Sequence, residues 1–195
     1  MLEAKTLRPD IESMRRPEFP HREARAIIGV TDRTLQTWNA RGLVPSEGLQ
    51  ARADALERGA GRKYSVVDLV YLSLVKVLIR YVGQFQAAAI AATSIPIIAM
   101  QAGMMSFVET DDPSQTDCGV FLVIYPRETG GFGADLVATG FAAGLTDRPQ
   151  EKADSLKAWI RAAGHDDVLV INIFAITRRL FAGMAAVRAQ RKVSR

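Results

Sequence analysis

The chain has a single cysteine, Cys118, so it can form no internal disulfide and no metal centre built on several thiolates within one chain. That scarcity suits a reducing compartment, and the cytoplasm is the expected location. There are two histidines, His21 and His165. Their separation has no metal-ligand spacing, and both are expected at the surface. The Val- and Leu-rich stretch at residues 66–82 is interrupted by Asp68, Lys76 and Arg80, which marks a buried helix rather than a membrane span. The first residues lack the apolar core of a secretory signal. No Gly-rich phosphate loop follows a strand with a suitable lysine. Gly130-Gly131-Phe132-Gly133 reads as a turn, not a nucleotide motif. Glu128, Asp135 and Asp147 have no neighbouring base or metal partner that would make them catalytic. The expectation is therefore no enzyme, no metal and no cofactor.

What the chain does have is an uneven charge distribution. Its net charge is only +4. Residues 1–64 carry 12 Lys/Arg against 9 Asp/Glu, residues 65–172 carry 7 against 12, and residues 173–195 carry 6 against none. Basic ends around an acidic middle favour a polyanionic partner for the ends. At 48% apolar residues there is ample material for a packed core, and 195 residues allow one large or two small domains.

Local signals are sharpest between Gly29 and Val44. Gly29 can take the positive φ of a tight turn between helices. Thr31 can cap the next helix, and Asp32 then sits at its positive end. Gly42 lies where a left-handed stop is expected. Leu35 and Trp38 share one face and anchor to a core. Arg33, Gln36, Thr37 and Arg41 fall on the other sides. A helix with one apolar face and an Arg/Gln/Thr flank suits a DNA groove.

Residues 1–18 read as a flexible basic arm. Ala24, Ile27 and Ile28 predict a short helix after Pro20. Residues 45–62, with Arg52, Arg58 and Arg62, form a loop with a helical piece at 49–56. Arg52 and Arg58 read as solvated loop charges. Ser65 and Asp68 begin the helix over 66–82 with a capping-box pattern. A short Ala-rich helix follows from about 84 to 93. Ser94 and Pro96 then suggest a new helix start, running to about Val108. Residues 109–117 form an acidic loop.

Thereafter the pattern becomes mixed. Val120–Tyr125 and Phe132–Thr139 predict a hairpin across Gly130-Gly131. A helix is expected over 151–163, stopped by Gly164, and a third strand over 168–171. Asn172 then caps a last helix running to about Gln190. Its apolar stripe is Ile173, Ile176, Leu180, Met184 and Val187. Cys118 reads as a small strand-edge residue rather than a sensor.

Two ordered blocks carry a resemblance. Gly29-Val30-Thr31, Arg33-Thr34-Leu35-Gln36-Thr37-Trp38 and Arg41-Gly42-Leu43-Val44-Pro45 are followed by Arg62-Lys63-Tyr64-Ser65 and Asp68-Leu69. Over roughly residues 19–82 the chain resembles the MerR-type winged helix-turn-helix of bacterial regulators. The chain departs from that pattern at Gln36-Thr37, where the family often has Arg-Tyr, and in the longer segment 45–61. The resemblance implies a second helix in the major groove and a wing on the DNA backbone. By that carry-over Arg33, Gln36, Thr37 and Arg41 contact groove or phosphate, and Arg62, Lys63 and Tyr64 are wing contacts. Read from its own chemistry, Tyr64 has two open roles, packing under the wing or donating to a phosphate.

The expected architecture is mostly α with a smaller α+β part. It comprises the arm at 1–18, the winged domain at 19–82, connecting helices at 83–108, and an α+β dimerisation or partner domain at 109–195. Phe174 and Phe181 make the last helix apolar on more than one side. Ile173, Ile176, Leu180, Phe181 and Met184 are therefore expected at a dimer interface. The expected partners are double-stranded DNA and a second copy of the chain, with RNA polymerase or another regulator as a further one, and no membrane. The leading function is a sequence-specific, dimeric transcription regulator. The alternatives are an architectural DNA-binding factor of recombination or phage packaging, or a protein-binding adaptor.

Overall fold

A computed structural model describes residues 14–43, 63–105, 119–139, 158, 160–161, 164 and 167–193. It is mostly helical, with two small antiparallel sheets. The chain divides into two compact units. One comprises Met1–Phe107 with Arg179–Arg195, the other Val108–Arg178. The segment Arg179–Arg195, expected in the C-terminal domain, thus belongs with the N-terminal elements.

In the first unit, β1 (Phe19–Pro20) leads directly into α1 (His21–Ile28). Gly29 ends α1 at φ 71°, ψ 47°, and its N–H donates to the Arg25 carbonyl. A side chain there would be strained by that φ and would also meet Lys76 Nζ. Lys76 already donates to the carbonyls of Ile28 and Gly29, at 2.8 and 3.0 Å. These are carbonyls that a helix end leaves without intrahelical donors. The turn therefore has both a backbone and a side-chain stop.

The next helix, α2 (Asp32–Ala40), is capped as expected. Thr31 accepts from the Thr34 backbone N–H at 3.1 Å. Leu35 and Trp38 are buried against the interior. Leu43 closes the far end, buried, with its N–H on the Trp38 carbonyl. Residues 44–62, including Arg52, Arg58, Arg62 and the helical piece expected at 49–56, lie outside the described residues.

The chain re-enters as β2 (Lys63–Tyr64), which pairs antiparallel with β1 in the register Phe19↔Tyr64 and Pro20↔Lys63. Ser65 and Asp68 then form a reciprocal capping box. Asp68 N donates to Ser65 Oγ at 3.1 Å, and Ser65 N donates to Asp68 Oδ2 at 2.8 Å. They open α3 (Val66–Leu78), where burial on nearly every side makes the helix the centre of this unit. It ends at Leu78 rather than at 82. Tyr81 and Val82 lie in a turn closed by Gly83, whose φ is +77°.

The two helices expected over 84–108 are one, α4 (Gln84–Met105). Ser94 does not cap a new helix. Its hydroxyl returns to the Ile90 carbonyl at 2.8 Å, and Thr93 bonds the carbonyls of Ala89 and Ile90. Such back-bonding is the other use of Ser and Thr in helices. The helix continues through Pro96.

The expected arm is not free along its whole length. Met14 is buried, and the Glu18 backbone N–H donates to the Tyr64 carbonyl at 3.0 Å. Residues 1–13 lie outside the described residues.

The second unit holds a three-stranded antiparallel sheet in the order β4-β3-β5. These strands are β3 (Gly119–Pro126), β4 (Phe132–Thr139) and β5 (Leu169–Asn172). The β3–β4 hairpin closes through Arg127 N to the Gly131 carbonyl, 3.1 Å. Gly133 faces Tyr125 across the pair, and a Cβ there would come within 2.3 Å of the Tyr125 ring. The missing side chain lets the ring lie across the strand, with its hydroxyl donating to Asp135 Oδ2 at 2.8 Å. Leu122, Val123 and Ile124 of the central strand are buried. Most of the helix expected at 151–163, the acidic loop 109–117, Cys118, Asp147 and His165 lie outside the described residues.

Asn172 caps the last helix as expected, accepting from the Ala175 N–H at 3.0 Å. This helix, α5 (Ile173–Val193), has a buried seam of Ile173, Thr177, Leu180 and Met184. The spacing of four, three and four residues puts them on one face. Among the described residues, no helix is long and apolar enough to cross a membrane.

Candidate nucleic-acid interface

The outer side of α2 is polar because its inner side is committed. Leu35 is 0% and Trp38 4% exposed, which fixes the roll of the helix. Arg33, Gln36 and Arg41 are consequently exposed, with Thr37 half-buried beside them. Their hydrogen bonds divide their roles. Thr37 donates its hydroxyl to the Arg33 carbonyl at 2.8 Å, so it offers only an acceptor outward. Gln36 donates its amide to Asp32 Oδ2 at 2.5 Å. Arg41 donates to the Gln84 side-chain carbonyl at the start of α4. Arg33 is exposed in the first turn of α2, at the N-terminal end of the flank.

Of the three expected wing residues, Lys63 is exposed on β2, and Arg62 lies outside the described residues. Tyr64 takes the packing role of the two left open. It is 0% exposed, and its hydroxyl accepts from Asn39 Nδ2 at 2.7 Å and lies 3.2 Å from His21 Nδ1. A buried phenol whose oxygen already serves two neighbours is not placed to donate to a phosphate. His21, expected to be a plain surface residue, is half-buried. Its second nitrogen meets Asp32 Oδ1 at 2.9 Å. Asn39, Tyr64, His21, Asp32 and Gln36 thus form one polar chain from β2 across α1 to the outer flank of α2. No local pattern announces this chain, because Asn39–Tyr64 and His21–Tyr64 are 25 and 43 residues apart.

Burial bears on three of the five residues expected at a dimer interface. Ile173, Leu180 and Met184 are each no more than 2% exposed within a single chain, so a second copy cannot cover them further. Ile176 and Phe181 are half-buried. The stripe on α5 is an internal seam; apolar periodicity reports burial without saying what does the burying.

The basic C-terminal segment is also engaged. Arg188 donates to both oxygens of Glu18, at 2.9 and 2.6 Å. Arg191 pairs with Glu23 and reaches Glu18. Both guanidinium groups stand over the buried Phe19 ring, 5.5 and 5.4 Å from its centroid. The hydrogen bond from Arg188 holds the Glu18 carboxyl below its ordinary range, partly opposed by burial and reinforced by the charges of Arg188 and Arg191. Two of the six basic residues expected to face a polyanion therefore face carboxylates of the same chain.

No protein-family model and no curated protein sequence matches this chain.

Proposed function

We propose that the chain is a sequence-specific DNA-binding transcription regulator. Its β1–α1–α2–β2–α3 segment would act as a winged helix-turn-helix of the MerR-like kind, working as a dimer on two-fold operators. The observation that carries this reading is the exposed flank of α2. Arg33, Gln36 and Arg41 project from a helix whose opposite face, Leu35 and Trp38, is locked into the interior. Such a rod presents cationic and hydrogen-bonding groups in a fixed frame, which suits insertion into a major groove. Thr37 would contribute an acceptor, and exposed Lys63 on β2 would meet a phosphate. Tyr64 supports the wing from beneath instead of touching DNA. The dimer contact would lie elsewhere than the buried seam of α5.

The test compares two substitutions across salt concentrations. Arg33→Ala is expected to weaken binding to an enriched site by about 1–3 kcal/mol while affecting unrelated duplexes less. Lys63→Ala is expected to weaken binding to all duplexes alike and to lower the salt slope by about one unit. Equal loss on every sequence for Arg33→Ala would make it a phosphate contact. Wild-type protein that retains no duplex at low salt would overturn the reading in favour of a protein-binding adaptor. Broad, shape-biased retention would favour an architectural factor.

A further inference from the structure

We infer that Asp32 is a specificity-setting residue, which turns Gln36 so that it selects bases carrying an exocyclic amine. The inference rests on the DNA-binding reading above and refines it. An ionised carboxylate accepts hydrogen bonds and cannot donate. The Gln36 atom 2.5 Å from Asp32 Oδ2 must therefore be the amide nitrogen, which removes the usual ambiguity between the two ends of a glutamine amide. Asp32 takes one of the two amide hydrogens and holds the nitrogen toward the start of α2, so we take the carbonyl oxygen as the end that meets a base.

The carboxylate is itself prevented from swinging away. His21 Nε2 donates to its other oxygen at 2.9 Å, and His21 is braced from behind by the buried Tyr64 hydroxyl at 3.2 Å. Tyr64 in turn receives Asn39, from the last turn of the same helix. Both ends of α2 are thus tied to one buried phenol, and Gln36 takes its orientation from that frame.

The consequence follows from the edges that bases show in the major groove. Adenine and cytosine present amines at N6 and N4; guanine and thymine present carbonyl oxygens at O6 and O4. A freely rotating glutamine amide can turn either end to suit either class. A glutamine held carbonyl-outward accepts from an amine and repels a carbonyl. Asp32 thereby makes Gln36 discriminating at one position of each half-site without touching DNA. It is a positioning residue, and its signature is a change in base preference rather than in general affinity.

The experiment is selection from random duplexes followed by sequencing, with purified wild-type, Asp32→Ala, Gln36→Leu and His21→Ala proteins. Thermal melting confirms that each variant is folded. Wild type is expected to favour adenine or cytosine over guanine or thymine by about tenfold at one position per half-site. Asp32→Ala is expected to lose that preference while the rest of the site is retained. Gln36→Leu is expected to lose preference at the same position, and His21→Ala, which removes the donor holding the Asp32 carboxylate, supplies the test should Asp32→Ala not fold, with that preference expected to weaken. An enriched site with the same preference in Asp32→Ala, or one that Gln36→Leu leaves unchanged, overturns the inference and leaves the DNA-binding reading standing. Absence of any enriched site with wild type overturns both.

Discussion

Gly29 and Lys76 act on the same turn from opposite sides. The first allows the left-handed backbone at the end of α1. The second covers the carbonyls of Ile28 and Gly29 from α3. Gly29→Ala must hold a Cβ at φ 71° and crowd the ammonium 3.2 Å away. Its expected cost is about 1–2 kcal/mol, read from urea unfolding. A cost near zero would mean that the turn relaxes and does not fix α2. Tyr64 offers a second test at this scale. Tyr64→Phe removes the oxygen that serves Asn39 and His21, leaving part-buried polar groups with one partner fewer. Stability should fall by about 1–3 kcal/mol, with the salt slope of DNA binding unchanged. A lowered slope with intact stability would return Tyr64 to the phosphate contacts.

Among the elements, those with local chemical starts and stops were legible in the sequence. Thr31, Ser65 and Asn172 each cap the helix they were expected to cap, because a capping bond spans only two or three residues. Removing the Ser65 hydroxyl by Ser65→Ala should cost about 1 kcal/mol in thermal or urea unfolding. That loss should be seen in the unit built on α3. The hairpin was also readable, from β-branched runs on either side of two glycines. Where a local pattern had two physical outcomes, the reading erred. Ser94 with Pro96 matched a helix start, yet a serine can equally bond backward, and α4 runs through both. The stripe on α5 matched a dimer seam, yet the interior of the same chain consumes Leu180 and Met184. The His21–Asp32–Gln36 relay could not be read at all. It depends on how α1 and α2 meet in the fold, since His21 and Asp32 lie 11 residues apart and on different helices.

At the scale of the whole molecule, the C-terminal segment Arg179–Arg195 completes the unit that carries the candidate interface. Ending the chain before Arg179 would strip cover from partners of Leu180 and Met184 and remove both guanidinium groups from Phe19. The expected result is a lower melting temperature and a less cooperative transition, rather than a stable monomer made from a dimer. The ion pairs of Glu18 add a pH dependence. Its folded-state carboxyl lies below the ordinary value of 4.5, so the stabilisation is present above that value. It is lost as pH falls through the lower folded value. Hydrogen exchange of the last turns of α5 should therefore be slow near neutrality and accelerate on the acid side of 4.5, with the α3 amides less affected. Part-exposed ion pairs are individually weak, so high salt alone should loosen these turns without unfolding the unit.

The proposed activity depends on the outer flank of α2 meeting duplex DNA. The most direct measurement is sequencing of the duplexes that the purified full chain retains from a random pool at low salt. The account predicts enrichment of a two-fold symmetric site, with half-sites about one helical turn or a multiple apart, and its loss in Arg33→Ala. A retained pool indistinguishable from the input, or one that Arg33→Ala leaves unaltered in both sequence and amount, would contradict it.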